Sequence, residues 1–268
     1  MFYNLDFISY ENLIKHISHT IEQYGDKLKS FDLERFNKNI VDPVKLIFDK
    51  EVYRDDWDTV ISSEIARQRD KSNNNDIGYF HQNIFKYINN CTVPATGWDV
   101  IFTSPNGVTI DGFTAHTIYV EMKNKHNTMN SSSAQKTHIR MLNQINTDND
   151  CFCFLVEAIA KHSQNIKWET TVDGNKVSNK RIRRVSMDKF YEIVTGDPNA
   201  FYKLCRELPI VIGQVVDSMD EFGMPKDTAY NELLIKSKKL GIADSDLAFA
   251  MAIYLLGFSE YNGFNNIK

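Results

Sequence analysis

The stretch "YVEMKNKHNTMN", residues 119–130, changes character halfway along. Its first half alternates apolar and polar residues, which predicts a β-strand with Val120 and Met122 on one face and Glu121 and Lys123 on the other. Its second half is basic and rich in amides and hydroxyls, which predicts a loop. The stretch therefore predicts a strand that displays an acid and a lysine together just before the chain enters a polar loop.

More β-structure is predicted on both sides of this strand. Residues 98–113, "WDVIFTSPNGVTIDGF", hold two apolar runs around a Pro-Asn-Gly turn signal, which predicts a hairpin and, with the strand of Glu121, a three-stranded meander. Residues 151–160, "CFCFLVEAIA", predict a strand buried on both faces. Residues 167–186 carry an Asp-Gly turn signal and predict an irregular segment or a hairpin that ends in a basic strand.

Helical periodicity occupies most of the remaining chain. It is found in residues 10–28, 42–53, 57–71, 77–88 and 134–147, and again after residue 187. The polar run "SNNND", residues 72–76, predicts a break between two helices, with Asp76 capping the second of them.

This order of elements predicts the fold class. It indicates a mixed α/β (α+β) domain, in which a central mixed sheet is flanked by helices on both faces and extra helices lie at the N- and C-termini. Because no shift in composition marks a linker, we expect one domain over residues 1–268. Its parts would be a helical segment (1–60), a core (61–160), and a basic segment with C-terminal helices (161–268).

Length and composition are those of an ordinary folded protein. The chain has 268 residues, of which 42% are hydrophobic and 25% charged, and this balance excludes disordered and fibrous classes. The longest apolar run, residues 247–258, is 12 residues long, whereas a membrane-spanning helix needs about 20. We interpret it as a buried helix. The N-terminus lacks the basic head and apolar block of a secretory signal, so we expect a cytoplasmic protein without a membrane partner.

Charge is distributed unevenly along the chain. The formal net charge of -4 does not indicate a nucleic-acid partner by itself. Residues 121–184, however, hold 11 Lys and Arg against 6 Asp and Glu, whereas residues 1–60 hold 8 against 12. A basic middle in an acidic protein is compatible with a local polyanion site, and equally with a solvated charged face.

An acid on the first strand of the meander completes a candidate metal site. Asp99 lies inside an apolar run, where a charge without a partner is costly. Neighbouring strands are about 4.8 Å apart, so Asp99 and Glu121 can share a divalent cation, with Lys123 projecting from the same face. Two carboxylates and a main-chain carbonyl suit Mg²⁺. Asp111 is the alternative first acid, but it precedes Gly112 and is typical of a turn.

The order Asp99, Glu121, one intervening residue and Lys123 resembles the signature of the PD-(D/E)XK nuclease superfamily. Longer strings, "GWDVIF", "EMKNKHNTMNSS" and "SMDKFYEIVTGDPNAFYKL", resemble the type II restriction endonuclease family whose founding members cut GGNCC. The resemblance extends from about residue 64 to residue 203. The chain departs from the superfamily's name in having Trp98, and not proline, before the first acid.

The resemblance implies a role for each residue of the site. Asp99 and Glu121 would bind Mg²⁺ together with the main-chain carbonyl of Met122. Lys123 would contact the attacking water and the scissile phosphate. Glu64, on the helix before the hairpin, would be either an additional helical metal ligand or an ordinary glutamate. The choice between one and two metal ions stays open.

The implied activity is that of a type II restriction endonuclease. Such an enzyme would hydrolyse double-stranded DNA with Mg²⁺ at GGNCC and leave 5′-phosphate ends. A two-fold symmetric site is cut on both strands most simply by a homodimer, and a DNA methyltransferase is the expected genetic partner. The alternatives are a structure-specific or repair nuclease of the same superfamily and a DNA-binding domain without catalytic activity.

DNA contacts are expected from the polar loop, the residues after it and the basic strand, which offer donors for phosphates and bases. The candidates are Lys125, Asn127, Ser131, Ser132, Gln135, Lys136, Lys180, Arg181, Arg183 and Arg184. For each arginine three interpretations stay open: a contact with a base, a contact with a phosphate, or a solvated charge. The sequence has no glycine-rich phosphate loop and no serine-nucleophile motif.

Overall fold

The computed structural model describes residues 3–27, 29–38, 40–126, 128–172, 174–219 and 226–259. The chain separates into two compact units, one made of residues 1–22 and 75–220 and the other of residues 23–74 and 221–268. The first unit contains the sheet together with Asp99, Glu121 and Lys123. The described part of the second unit is helical.

A mixed sheet organises the first unit. Its strands within the described residues are β1 (Cys91–Thr92), β2 (Val100–Ile110), β3 (Phe113–Lys125), β4 (Cys151–Ile159), β5 (Asn165–Val172) and β6 (Asn175–Ser186). Their order across the sheet is β1-β2-β3-β4-β6-β5. β3, β4 and β6 run parallel to one another, and the other neighbouring pairs are antiparallel. The predicted central mixed sheet is confirmed, and the carboxyl ends of its three parallel strands lie at one end of the sheet.

Helices precede the strands, separate them and follow them. The helices of the described residues are α1 (Tyr10–Lys27), α2 (Leu33–Asn37), α3 (Pro43–Tyr53), α4 (Trp57–Asn83), α5 (Ser131–Thr147), α6 (Met187–Thr195), α7 (Ala200–Asp217), α8 (Ala229–Lys239) and α9 (Ser245–Phe258). A 3₁₀ turn (Ile84–Tyr87) follows α4. The first unit contains α5, α6 and α7, and the second contains α2, α3, α8 and α9. The predicted α/β class is confirmed.

The predicted helix break at residues 72–76 is wrong. α4 continues through this segment for 27 residues without interruption. The side chain of Asn74 donates to the main-chain oxygen of Asp70 one turn earlier, at 3.0 Å, and so does not end the helix. Asp76 is buried inside α4 and does not lie at the start of a second helix. A run of weak helix formers was outweighed by packing, because intrinsic propensities amount to less than about 1 kcal/mol per residue.

The predicted hairpin turn at Pro-Asn-Gly is also wrong. β2 passes through residues 105–107, where the pairing with β3 shifts register between Thr103 and Val108. The chain reverses instead at Asp111 and Gly112, whose φ angles are 49° and 75°. A two-residue turn of type I′ needs positive φ at both positions, and Asp-Gly tolerates this well. β2 and β3 therefore form one long hairpin, and β1 is the third antiparallel strand.

Each face of the sheet carries its own core. One face packs Val100, Val120 and Phe154 against α6 and α7 through residues such as Phe190 and Leu204. The other face is covered by α5, with a core of Trp98, Met141, Ile145, Leu155, Trp168 and Ile182. We call this second face the α5 face. The prediction of helices on both faces is confirmed, as is the buried character of β4, which is fully enclosed from Cys151 to Glu157.

The second unit has a separate helical core. Phe36, Leu46, Ile61, Leu233 and Ile253 are almost inaccessible to solvent and belong to one apolar cluster. The apolar run of residues 247–258 lies in α9, as predicted, and contributes to that cluster. Across the described residues, no helix combines the length and the apolar character that crossing a membrane requires.

Candidate active site

The two predicted metal-binding acids are placed next to each other by the pairing of β2 with β3. Val100 pairs with Val120, and Asp99, which immediately precedes β2, bonds to the two residues that flank Glu121. The main-chain N–H of Asp99 donates to the carbonyl of Val120 at 2.9 Å. Its carboxylate oxygen Oδ2 accepts the N–H of Met122 at 2.7 Å. Two hydrogen bonds to one strand therefore fix both the backbone and the side chain of Asp99.

Cations satisfy both oxygens of Glu121. Lys123 Nζ lies 2.7 Å from Oε1, and Arg140 Nη1, which comes from α5, lies 3.0 Å from Oε2. Strand alternation puts Glu121 and Lys123 on one face, and this is the α5 face. The side chain of Glu121 is only 14% exposed, whereas that of Lys123 is 31% exposed. Glu121 is thus a shielded carboxylate with a more accessible lysine beside it.

The environment of Asp99 disfavours its charge. Burial raises the pKa of its carboxyl group, and the negative charge of Glu121 raises it further. The N–H of Met122 and the positive charges of Lys123 and Arg140 oppose this increase without cancelling it. A carboxyl group whose pKa is raised by burial and by a neighbouring carboxylate is a frequent feature of catalytic sites, because a bound cation or a proton relieves the repulsion.

The donor set fits Mg²⁺. In a strand the N–H and C=O of one residue point toward the same neighbour, so the Met122 carbonyl faces the side from which its N–H reaches Asp99. Asp99, Glu121 and this carbonyl are all hard oxygen donors. Within the described residues there is no group of three or more His, Cys, Asp or Glu side chains suited to a metal. Mg²⁺ is commonly held by one or two carboxylates plus substrate phosphates, so two carboxylates suffice.

Gln82 supports the first acid from α4. Its side-chain Nε2 donates to the main-chain carbonyl of Asp99 at 3.2 Å. This contact lies on the backbone and leaves the Asp99 carboxylate to the N–H of Met122. Gln82 thus positions the first acid.

Arg140 is a site residue that the sequence interpretation missed. Its guanidinium carbon lies 3.8 Å from the centre of the Trp98 ring, and Trp98 Nε1 donates to Gln144 Oε1 at 3.2 Å. The two α5 residues are one helical turn apart, and both contact the residue that precedes Asp99. In the sequence, the one sign that these two residues act together was their i, i+4 spacing on the helix that follows Glu121 and Lys123.

A second charged cluster, made of Glu157, Arg184 and His126, lies beside this site. Glu157 on β4 pairs in register with Lys123 on β3, and paired residues of parallel strands share a face. Arg184 Nε donates to Glu157 Oε1 at 2.8 Å, and its Nη2 donates to the main-chain oxygen of His126 at 2.8 Å. The ring Nδ1 of His126 lies 3.2 Å from Glu157 Oε2. Glu157 was also missed, although an acid within an apolar strand was a visible signal.

The predicted DNA-contact residues of the loop and of α5 are mostly accessible. Those exposed to solvent are Lys125, Ser131, Ser132, Lys136 and Lys180. Gln135 is half-buried, and Asn127 lies outside the described residues. α5 begins directly after the loop, where Asn130 caps it by accepting the N–H of Ser133 at 2.9 Å. The cap orients the exposed first turn of α5 at the carboxyl end of β3.

The three predicted DNA-contact arginines have protein partners. Arg181 Nη2 donates to the carbonyl of Ile145 near the end of α5 at 2.9 Å. Arg183 is buried, donates to the main-chain oxygen of Asn165 at 2.7 Å and forms an ion pair with Asp111. Arg184 belongs to the cluster with Glu157. Their contact with DNA stays a prediction that would require these bonds to break. Asp111 lies in the hairpin turn.

Glu64 lies in the second unit. Its side chain is buried and accepts hydrogen bonds from Arg67 Nε at 2.7 Å and from Gln68 Nε2 at 3.1 Å. Burial acts to raise the pKa of Glu64, but the bonds from Arg67 and Gln68 outweigh burial and lower it. Glu64 is thus a charged carboxylate with its own partners, and its role as a metal ligand stays a prediction.

Comparisons with known proteins identify relatives over most of the chain. The profile of the family described as Eco47II restriction endonuclease matches residues 5–217. The chain is 28% identical over 225 residues to the type II restriction enzyme Sau96I of Staphylococcus aureus, covering 80% of this chain and 82% of that enzyme. It is 25% identical over 223 residues to the type II restriction enzyme Eco47II of Escherichia coli, covering 79% of this chain and 88% of that enzyme.

Proposed function

The chain belongs to the Eco47II restriction endonuclease family and is a site-specific deoxyribonuclease of type II; from this premise we propose that it hydrolyses double-stranded DNA with Mg²⁺ at the site formed by Asp99, Glu121 and Lys123. The products carry 5′-phosphate ends. The recognition sequence is GGNCC, as the resemblance of its longer strings to GGNCC-cutting enzymes implies.

One observation carries this proposal: Asp99 bonds to the residues on both sides of Glu121, and Lys123 is bonded to this second acid. Asp99, Glu121 and the Met122 carbonyl would hold Mg²⁺. When bound, the metal supplies charge neutralisation for the phosphate and activates a water molecule. A bound cation would also stabilise the charged form of Asp99, whose pKa is raised by burial and by the charge of Glu121.

Lys123 acts at the reacting phosphate. Its Nζ lies 2.7 Å from Glu121 Oε1, so its position is fixed by a metal-binding residue, and its 31% exposed side chain is open to a substrate. An ammonium group in this place donates hydrogen bonds to the phosphate oxygens and to the attacking water. The exposed donors of the loop and of α5 then hold the DNA backbone, and the positive end of the α5 dipole favours an anion nearby.

The assembly follows from the symmetry of the substrate. Two copies of the chain, each with one active site, cut the two strands of a two-fold symmetric sequence. A DNA methyltransferase that modifies the same sequence protects the host DNA. Arg181, Arg183 and Arg184 are not needed for this proposal, since exposed cations such as Lys125 and Lys136 are available for phosphate contacts.

The test is a single-turnover digest of a sequenced plasmid with Mg²⁺, with both ends of each fragment mapped. Wild-type protein is expected to give discrete fragments that end at GGNCC and carry 5′-phosphates. Glu121→Gln and Lys123→Gln should each slow cleavage by at least about 1,000-fold, because each removes charge stabilisation of the transition state. Glu192→Gln, at a partly exposed glutamate of α6 on the opposite face of the sheet, is the matched control and should cleave normally.

Three results would contradict the proposal, each in a different way. A smear in place of bands would favour a structure-specific or repair nuclease. No cleavage by the wild type with Mg²⁺ would favour a DNA-binding domain without catalytic activity. Cleavage that survives both substitutions would move the active site away from Glu121 and Lys123.

A further inference from the structure

We propose that Arg140 is a second active-site cation, which holds Glu121 while the metal is absent and contacts the scissile phosphate once the metal has taken Glu121. This inference rests on the proposed function and assigns a further catalytic residue to the same site. Its basis is the ion pair between Arg140 and Glu121, together with the stacking of the guanidinium on Trp98.

Charge neutrality explains why a second cation is present. Without metal, the negative charges of Asp99 and Glu121 are matched by the positive charges of Lys123 and Arg140. Mg²⁺ adds two positive charges, and a phosphodiester adds one negative charge. With metal and substrate both bound, the metal would balance the charges of the two carboxylates. Lys123 and Arg140 would then be available to the phosphate oxygens.

Arg140 is the cation that can leave Glu121 with little rearrangement. Lys123 lies on the same strand as Glu121, two residues away, and is kept beside it by the backbone. Arg140 lies on α5 and reaches Glu121 through one hydrogen bond of 3.0 Å. A metal at Glu121 would compete with this bond, because both carboxylate oxygens are already paired with cations.

Trp98 would keep Arg140 at the site after that bond is broken. The guanidinium lies on the indole ring at 3.8 Å, a contact that does not depend on Glu121, and the ring is anchored by Gln144. The side chain of Arg140 is 40% exposed, so a ligand can approach its N–H groups from solvent. A planar guanidinium donates two parallel hydrogen bonds to a phosphate, which an ammonium cannot do.

The experiment compares Arg140→Gln and Arg140→Lys with the wild type by two measurements. The first is Mn²⁺ affinity of the protein without DNA, followed by electron paramagnetic resonance of free Mn²⁺, which takes the same oxygen ligands as Mg²⁺. Arg140→Gln should bind Mn²⁺ about 2- to 5-fold more tightly, since an ion pair of this exposure is worth less than about 1 kcal/mol. Arg140→Lys should bind Mn²⁺ like the wild type or less than 2-fold more tightly.

The second measurement is the single-turnover rate of DNA cleavage with Mg²⁺. Arg140→Gln should be slower by about 100-fold, the usual effect of removing one transition-state donor. Arg140→Lys should be intermediate, because it keeps the charge and loses the bidentate geometry. Lys189→Gln is the matched control: Lys189 pairs with Glu192 on α6 at 2.8 Å, and its loss should change neither measurement.

The outcomes separate this inference from the proposed function. Unchanged Mn²⁺ affinity in Arg140→Gln overturns the competition for Glu121, and an unchanged cleavage rate overturns the phosphate contact. Glu121→Gln serves as the reference in both assays. If Glu121→Gln loses Mn²⁺ binding and cleavage while Arg140→Gln behaves as wild type, only the inference about Arg140 fails. If Glu121→Gln still binds Mn²⁺ and cleaves, the proposed function fails.

Discussion

The active-site cluster (Asp99, Glu121, Lys123 and Arg140) and the buried cluster (Glu157, Arg184 and His126) lie side by side on the α5 face of the sheet. In the active-site cluster two carboxylates face each other, and the pKa of Asp99 is raised. In the buried cluster a single carboxylate, only 2% exposed, is enclosed by an arginine and a histidine.

The difference shows what makes an acid reactive or structural in this fold. Glu157 has its partners built in, so its charge is satisfied inside the protein and needs no ligand. Asp99 lies beside the second carboxylate of Glu121, and its partners do not offset burial and that charge, so its pKa stays raised and a divalent cation would relieve the repulsion. The cations of both clusters come from the same basic segment, residues 121–184. The presence of basic residues in the sequence therefore did not distinguish the active-site cluster from the buried cluster.

The largest expected effect concerns the buried cluster. Glu157→Ala should lower the free energy of unfolding by about 3–5 kcal/mol, because it removes a buried carboxylate and leaves the partly buried guanidinium of Arg184 without a counterion. Urea denaturation of the metal-free protein measures this. Replacing Glu157 and Arg184 together by methionine should recover part of the loss. A change below about 1 kcal/mol for the single substitution would mean that the two clusters do not differ as described.

A smaller effect of opposite sign is expected in the active-site cluster. Burial and the charge of Glu121 raise the pKa of Asp99, so the folded protein binds a proton at this group more readily than the unfolded chain does. The ionised carboxylate therefore costs stability above the folded pKa, and the cost fades as the pH falls through it.

Asp99→Asn should thus stabilise the metal-free protein by less than about 1 kcal/mol at pH 8, while the Met122 N–H keeps an acceptor. The gain should shrink as the pH is lowered. Urea denaturation at several pH values without metal gives the measurement, with Glu157→Gln as the comparison that should destabilise. A destabilised Asp99→Asn at pH 8 would show that Asp99 is as well partnered as Glu157.

The smallest expected effect is on the salt dependence of DNA binding, and it distinguishes cations that face solvent from cations with protein partners. Lys125→Gln should reduce the slope of log affinity against log salt concentration for DNA by about 0.9, the loss of one phosphate contact. Arg181→Gln should leave the slope unchanged, because Arg181 donates to the carbonyl of Ile145. Equal reductions for both variants would show that Arg181 leaves α5 to bind DNA.

Local signals predicted those elements that short-range physics controls. Alternation along residues 119–125 placed Glu121 and Lys123 on one face, and the continuous apolar run of β4 predicted a buried strand. The two errors have one cause. "SNNND" and Pro-Asn-Gly are both local preferences of small size, and tertiary packing overrode them, continuing α4 through the first and β2 through the second.

The sequence by itself determined the α/β class and the face shared by Glu121 and Lys123, and it favoured Asp99 as their neighbour, since these depend on strand periodicity or on the cost of a charge in an apolar run. Only the tertiary structure decided which cations meet which acids. Arg140 reaches Glu121 from α5, and Arg184 reaches Glu157 from β6, because these pairs join residues 19 and 27 positions apart. Such contacts depend on helix packing and strand order, which no local pattern encodes.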